Sequence, residues 1–222
     1  MMEKWLPILF EISTYSILIP LLTGVVRWRK LIPEQKILCL FIIIASVIQL
    51  VASFLASHQI NNLPLLHLFT VVEFGALCWI FHLGLPRWFD QRKAVLLISL
   101  FTVFALVNVL FWQDLTAYNS YSRGLSAFFM VLLALYYFVT VLRELQVTNL
   151  AESFMFWFCT GVLLYFSANL LLFLYSSMIA QMDVDTNYQI WGIHAVLNIL
   201  LYLFYTIALW SKPEQRISAK FS

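Results

Sequence analysis

Residues 63–83, LPLLHLFTVVEFGALCWIFHL, decide the fold class of this chain. The segment is long enough to cross a bilayer as one α-helix, which takes about 20 mostly apolar residues. It also carries His67, Glu73 and His82 in its interior. An ionisable side chain in hydrocarbon is costly unless it faces the interior of a protein or a water-filled cavity. The segment therefore predicts a membrane helix whose polar face is covered by other helices.

The whole chain has the composition of an integral membrane protein. Of its 222 residues, 63% are hydrophobic and 11% are charged, whereas about 25% of the residues in a soluble domain are charged. The apolar runs do not alternate with polar residues, which excludes a membrane β-barrel. We predict an all-α bundle of seven transmembrane helices that forms one domain over residues 1–222, with no soluble domain. The helices are expected at about residues 5–26, 37–57, 63–85, 94–112, 123–142, 153–177 and 188–210.

The basic residues predict the orientation of this bundle. Along the predicted helices, eleven of them fall on one side of the membrane: Arg27, Arg29, Lys30, Lys36, Arg87, Arg92, Lys93, Arg143, Lys212, Arg216 and Lys220. The other side has Lys4 and Arg123. Because short cytoplasmic loops are enriched in Lys and Arg, we expect the N-terminus outside and the C-terminus in the cytoplasm. The short loops favour a bacterial inner membrane.

Polar residues inside the predicted helices concentrate toward the outer side, where we predict a ligand-binding pocket. Its expected residues are Glu73, His67, Thr70, His194, Asn198, Asn169, Glu11, Arg123 and Gln49. At about 100° per residue, His67, Thr70 and Glu73 form a slanting stripe, with Glu73 near mid-membrane. Glu11 and Arg123 are expected either to pair across helices 1 and 5 or to face lipid headgroups. Ser46, Ser53, Ser167 and Asn108 are expected to join helices by hydrogen bonds.

A metal site is an alternative that the same residue types leave open. His67, His194 and Glu73 are ligand types that suit zinc. Seven-helix membrane hydrolases of the ceramidase and adiponectin-receptor kind hold a metal with several histidines, two of them close together on the last helix. This sequence departs from that pattern, because His194 is the one histidine of its last helix.

The cysteines offer a second, inner metal candidate. Cys78 and His82 are four residues apart on helix 3, and Cys39 and Cys159 are expected at a similar depth. Buried cysteines more often pack as small hydrophobic residues, and none of the three lies in a connection, so no disulfide is predicted. The sequence has no Gly-rich phosphate loop and no GxSxG, HExxH or CxxC motif. We therefore predict no catalytic residues.

No cofactor and no nucleic-acid partner are expected. Microbial rhodopsins hold retinal on a lysine of the last helix, and no lysine lies within any predicted helix here. The basic residues of the loops have the ordinary distribution of a membrane protein, so they do not predict a nucleic-acid surface. The bilayer itself is the expected partner, and the sequence leaves oligomerisation open.

Two functions fit these features. The first is a sensory or receptor-like module, which binds a small ligand in the outer pocket and signals through a cytoplasmic or membrane partner. The second is a small transporter, because seven helices with an outer N-terminus resemble the SWEET plan of two parallel triplets around a linker helix. The resemblance is one of topology: the Pro-Gln motif of the related PQ-loop family is absent, and Pro20 of helix 1 has no counterpart in helix 5. The sequence therefore favours the receptor-like module, and a metal-dependent intramembrane hydrolase is the third candidate.

Overall fold

The computed structural model describes residues 5–85, 88–144 and 149–212, and the regular elements in those ranges are helices. Seven helical segments are long and apolar enough to cross a membrane, which confirms the predicted number. The helices are α1 (Trp5–Ser16), α2 (Leu18–Arg27), α3 (Pro33–Ser57), α4 (Leu63–Gly84), α5 (Gln91–Phe111), α6 (Ser120–Glu144), α7 (Phe154–Leu174), α8 (Ser176–Ile179) and α9 (Val184–Trp210).

Four membrane helices, α3, α5, α6 and α9, begin three or four residues earlier than the apolar runs predict, because their first turns are polar. α5 begins after Asp90, whose side chain accepts a hydrogen bond from the backbone N–H of Lys93. α9 begins after Asp183, which caps the helix through the backbone N–H of Thr186. α3 begins at Pro33, a residue that suits the first turn of a helix. Hydropathy locates the segment that crosses the membrane and does not detect such caps.

The first membrane segment consists of two helices, α1 and α2, which are separated at Ile17. Pro20 lies one turn further on and has no N–H, so it cannot donate to the carbonyl of Ser16. The Ser16 hydroxyl instead donates to the Ser13 carbonyl at 2.6 Å. Proline is thus the cause of the break in this segment.

The membrane helices follow one another around a ring. α3 packs between α2 and α4, α4 contacts α5 and α6, and α7 lies between α6 and α9. α9 closes the ring by packing on α1, α2 and α3. At Gly161 of α7, an added Cβ would lie 2.7 Å from the Cβ of Phe204, so glycine allows the close approach of α7 and α9.

One half of the bundle has a dense aromatic and aliphatic core. Its largest fully buried side chains include Leu38, Phe74, Leu77, Phe81, Phe154 and Phe158. At the same end, the side-chain amide of Gln35 donates to the carbonyls of Ala208 and Ser211, both at 2.9 Å. These bonds fix the last turn of α9 to the first turn of α3.

The basic residues within the described ranges lie mainly at that end. They are Arg27, Arg29, Lys30, Lys36, Arg92, Lys93, Arg143 and Lys212. Arg123 lies in the first turn of α6, at the opposite end of the bundle. We refer to these two ends as the basic end and the opposite end. Lys4, Arg87, Arg216 and Lys220 lie outside the described residues. That the basic end faces the cytoplasm stays a prediction from the distribution of charge.

Candidate functional site

A cavity of about 340 Å³ lies between α3, α4 and α9, and it extends from the opposite end of the bundle past the middle of α3 and α9 toward the basic end. Its lining runs from Phe41 to Ala52 on α3 and from His194 to Tyr205 on α9. Eleven residue steps of helix correspond to a depth of about 16 Å. A second cavity, of about 230 Å³, lies between α1, α3 and α9. The two share Gln49, His194, Asn198 and Tyr202, so we treat them as one site.

A buried ion pair between Glu73 of α4 and Arg123 of α6 lines this cavity. Nη1 of Arg123 donates to Oε2 of Glu73, and the two side chains are 9% and 5% exposed respectively. Nη2 of Arg123 donates to the Tyr165 hydroxyl at 3.4 Å. The guanidinium also lies 4.6 Å from the ring centre of Phe173. Each charge therefore has a buried partner, and the arginine gains a further cation–π contact.

The pairing proposed above for Glu11 is wrong. Arg123 bonds Glu73, whereas Glu11 is exposed on α1 and is absent from the cavity lining. Arg123 does not face the headgroups either, since it is 7% exposed. The physical reason is the reach of the side chain. An arginine whose Cα lies near the end of a helix can extend its long side chain inward instead of toward the headgroups, when a buried carboxylate is close enough to bond its guanidinium.

His194 and Asn169 form a second polar contact, and their bonds determine the histidine tautomer. Nδ2 of Asn169 donates to the Tyr165 carbonyl at 2.8 Å, so its Oδ1 is the acceptor that faces His194. Nδ1 of His194 lies 3.0 Å from this oxygen and must carry the proton. In the neutral ring, the other nitrogen is then an acceptor. His194 is a polar group of the cavity wall, and Asn169 orients it from behind.

His67 and Thr70 do not line the cavity, although they share the predicted stripe with Glu73. Nε2 of His67 lies 3.0 Å from the Ala117 carbonyl. Asn119 donates to the Thr70 hydroxyl at 2.7 Å, and that hydroxyl donates to the Leu66 carbonyl. These bonds hold the connection between α5 and α6 against the first half of α4. His67 and Thr70 thus bond neighbouring segments of the protein and do not line the pocket in which the sequence predicted them.

The same connection contributes Tyr118 to the site. Its ring lines the cavity and stacks on Trp191 of α9, with 5.8 Å between ring centres and 21° between planes. Burial raises the pKa of the Tyr118 phenol, so the phenol is protonated at neutral pH and can donate a hydrogen bond. The hydroxyls of Ser120 and Ser176 lie 2.8 Å apart and join this end of α6 to α8.

Four tyrosines are the functional candidates that the sequence did not identify: Tyr118, Tyr165, Tyr202 and Tyr205. On α9, Asn198, Tyr202 and Tyr205 follow His194 at intervals of four, four and three residues, which places all of them on one helical face. That spacing was a usable signal. Hydropathy does not reveal it, because tyrosine counts as apolar in a membrane helix and is often found at the interface with water.

Two of the serines expected to join helices, Ser46 and Ser167, bond within their own helix instead. The hydroxyl of Ser46 donates to the Ile42 carbonyl, and that of Ser167 donates to the Leu164 carbonyl. Asn108 donates to Gln113, which is five residues further along the chain. A serine in a helix readily bonds the carbonyl one turn before it, so a polar side chain in a membrane helix need not join two helices.

The described residues contain no group of three or more His, Cys, Asp and Glu side chains placed to hold a metal ion. His67 faces a loop carbonyl and His194 faces Asn169, so the first candidate set is not brought together. In the second set, His82 bonds the Phe89 carbonyl, and the three cysteines are buried in the core.

The chain matches no protein-family model, no curated protein and no solved structure with which it was compared. Function is therefore argued from the site itself.

Proposed function

We propose that this protein is a receptor-like membrane module that binds a small amphipathic ligand in the cavity between α3, α4 and α9. The main observation in support of this proposal is the cavity itself, which has a volume of about 340 Å³ and a buried ion pair in its wall. Sites for small molecules commonly measure about 300–1,000 Å³ and combine apolar walls with a few placed polar groups. The side chains of Phe41, Ile48 and Phe69 supply the apolar part here.

The ion pair supports a functional role for the cavity. Removing two charges from water costs several kcal/mol per ion, and hydrophobic residues of the same volume often give equal or greater stability. The Glu73–Arg123 pair is therefore poorly explained by stability alone. In a membrane-spanning segment, a buried ionisable residue is a functional candidate. Because the pair joins α4 to α6, a ligand that contacts either member could change the positions of both helices. Both helices continue to the basic end.

The core of the bundle favours a receptor-like module over a transporter. On the side toward the basic end, Leu77 and Phe81 of α4 and Phe158 of α7 are each 0% exposed. The Phe158 ring contacts that of Phe81 and stacks on Tyr205, which lines the cavity, so these side chains form a packed layer next to it. A solute could cross only if this packed layer separated. A receptor needs a smaller change, because a ligand with different affinities for two arrangements of the helices shifts the population between them. We propose that such a shift is read by a partner protein at the basic end.

Ligand binding can be tested by thermal unfolding of the protein in nanodiscs, with three probes of equal chain length: octan-1-ol, octanoate and octyltrimethylammonium. Binding at a concentration one hundred times the Kd stabilises a protein by about 2.7 kcal/mol, which raises Tm by about 5 °C or more. Ala45 lines the cavity and is 6% exposed, so Ala45→Phe should abolish the shift. Val47 is 54% exposed on the other side of α3, and Val47→Phe should retain the shift. If no probe gives a shift that depends on Ala45, the proposed function is wrong.

Signalling and transport can be separated on the same sample. Spin labels at Arg29 and Lys93, both exposed at the basic end, should change their separation when a binding probe is added. Ala45→Phe should remove that response. Uptake of radiolabelled mono- or disaccharides by proteoliposomes that contain the purified protein alone would instead favour the transporter.

A further inference from the structure

The charged groups of the cavity cancel one another. Among the described residues of the lining, only Glu73 and Arg123 carry a formal charge, and they are paired. The remaining polar groups are amides, phenols and the His194 ring, whose bond to Asn169 places the proton on Nδ1. An anionic ligand would have to compete with Glu73 for the arginine, and a cationic ligand would have to compete with Arg123 for the carboxylate. Either would be desolvated at a site that offers no net opposite charge.

Two polar groups of this lining have unused hydrogen-bonding capacity. The Tyr205 hydroxyl is buried and has no hydrogen-bond partner, and Tyr205 itself is 0% exposed. Arg123 bonds Oε2 of Glu73, and no described residue donates a hydrogen bond to Oε1. A buried polar atom without a partner costs free energy, so the Tyr205 hydroxyl in particular is expected to be paired once the site is complete. The hydroxyl can donate or accept, whereas the carboxylate oxygen can only accept.

The apolar wall and the volume limit the rest of the ligand. Ile42, Ala45 and Leu201 line the deep part of the cavity together with Tyr205. A volume of about 340 Å³ corresponds to roughly eleven atoms of the size of a water oxygen, at about 30 Å³ for each in the liquid. The site therefore has room for a polar headgroup and a short hydrocarbon body.

From these observations we infer that the ligand of this cavity is an uncharged amphiphile with an alcohol or primary amide headgroup, and that Tyr205 and Glu73 recognise that headgroup. The inference rests on the proposed function and specifies its ligand. A hydroxyl or amide donates to Oε1 of Glu73 and accepts from the Tyr205 hydroxyl, which uses both free positions without adding a charge. Tyr205 is then a specificity-determining residue, because its hydroxyl distinguishes an acceptor headgroup from a purely apolar one.

The test uses the same nanodisc samples and the same three probes, whose main chains each have eight carbons. We expect octan-1-ol to raise Tm, and octanoate and octyltrimethylammonium to raise it much less at equal concentration. Tyr205→Phe should lower the affinity for octan-1-ol about tenfold, the effect expected for one hydrogen bond. It should leave Tm without a probe unchanged or higher, because the hydroxyl it removes has no partner in the protein. Tyr15→Phe, at a position that is 65% exposed on α1, should retain the affinity of the parent protein.

The results separate this inference from the proposed function. An octan-1-ol shift that is lost in Ala45→Phe but unchanged in Tyr205→Phe would retain the cavity as a binding site and overturn the headgroup assignment. A charged probe that binds more tightly than octan-1-ol would also overturn it. Equal shifts for all three probes would indicate partitioning without recognition, again against the inference. If no shift depends on Ala45, the proposed function fails and the inference fails with it.

Discussion

Removing one member of the Glu73–Arg123 pair should destabilise the protein more than removing both. The perturbations are Glu73→Gln, Arg123→Met and the double substitution. Glutamine keeps the shape of glutamate, and methionine fills the space of the arginine chain with a flexible apolar one. Each single variant leaves one buried group that has lost its charged partner, whereas the double variant leaves none.

The magnitude follows from the burial and contacts of the pair. The side chains are 9% and 5% exposed, so solvent screens their interaction weakly. Breaking such a pair by removing one partner typically costs about 3–5 kcal/mol. In Glu73→Gln the arginine keeps its contact with the Phe173 ring at 4.6 Å. That contact offsets part of the loss, by about 0.5–2 kcal/mol. We expect Glu73→Gln to cost about 3 kcal/mol and Arg123→Met somewhat more.

The free energy of unfolding should be measured in bicelles by steric trapping. The double variant is expected to be about 1–2 kcal/mol more stable than either single variant, because no uncompensated charge remains. Glu152 and Lys212 supply the control, since they form a pair at 2.7 Å whose lysine and glutamate side chains are 66% and 48% exposed. Removing that pair should give a coupling energy below about 1 kcal/mol. If the losses in the free energy of unfolding caused by Glu73→Gln and Arg123→Met simply add in the double variant, the coupling energy is zero. That result would refute the reasoning that burial makes the interaction of this pair strong.

Three further predictions concern packing, the connection before α6 and a helix cap. Gly161→Ala should lower stability by about 1–3 kcal/mol through overpacking against α9, whereas Gly75→Ala, whose added Cβ meets its nearest atom at 3.9 Å, should be neutral or stabilising in the same unfolding assay. Asn119→Ala should cost about 1–3 kcal/mol and increase hydrogen exchange in the connection before α6, because it leaves a buried threonine hydroxyl without its donor. The hydrogen bond from the Thr186 backbone N–H holds the pKa of Asp183 below its usual range, so this cap stabilises α9 above the ordinary carboxyl pKa of about 4 and is lost as pH falls through the depressed pKa. Asp183→Asn should keep the cap and remove this pH dependence of exchange at the first turn of α9.

The number of membrane helices was predictable because each segment carries its own signal. Length and hydropathy suffice for a helix that must satisfy its backbone hydrogen bonds within the bilayer. The break at Ile17 was also within reach, since Pro20 is visible in the sequence. The starts of α5 and α9 were predicted three and four residues late, because Asp90 and Asp183 cap helices whose first turns are polar.

The partner of Arg123 could not be read from the sequence. Glu11 and Glu73 were both possible carboxylates, and the choice depends on which helices are neighbours in the ring. α6 contacts α4, and α4 carries Glu73. The sequence contains no corresponding information on the direction in which a long side chain extends from the end of its helix. The prediction placed Glu73 in an outer pocket, and Glu73 does line a cavity, but the prediction did not identify Arg123 as its partner.

The predicted stripe on α4 explains why residue roles inside a membrane bundle resist prediction from one helix. His67, Thr70, Glu73, Leu77 and Phe81 follow one another at intervals of three or four residues, so they lie along one slanting face. The first two bond the connection between α5 and α6, Glu73 meets an arginine at the cavity, and the last two pack in the core. The face is continuous, but the neighbour changes with depth from a loop to a cavity to packed aromatic rings. Since the environment of each residue depends on that neighbour, periodicity can identify the buried face of α4. Only the arrangement of the other helices separates the residue that lines the cavity from those that hold the bundle together.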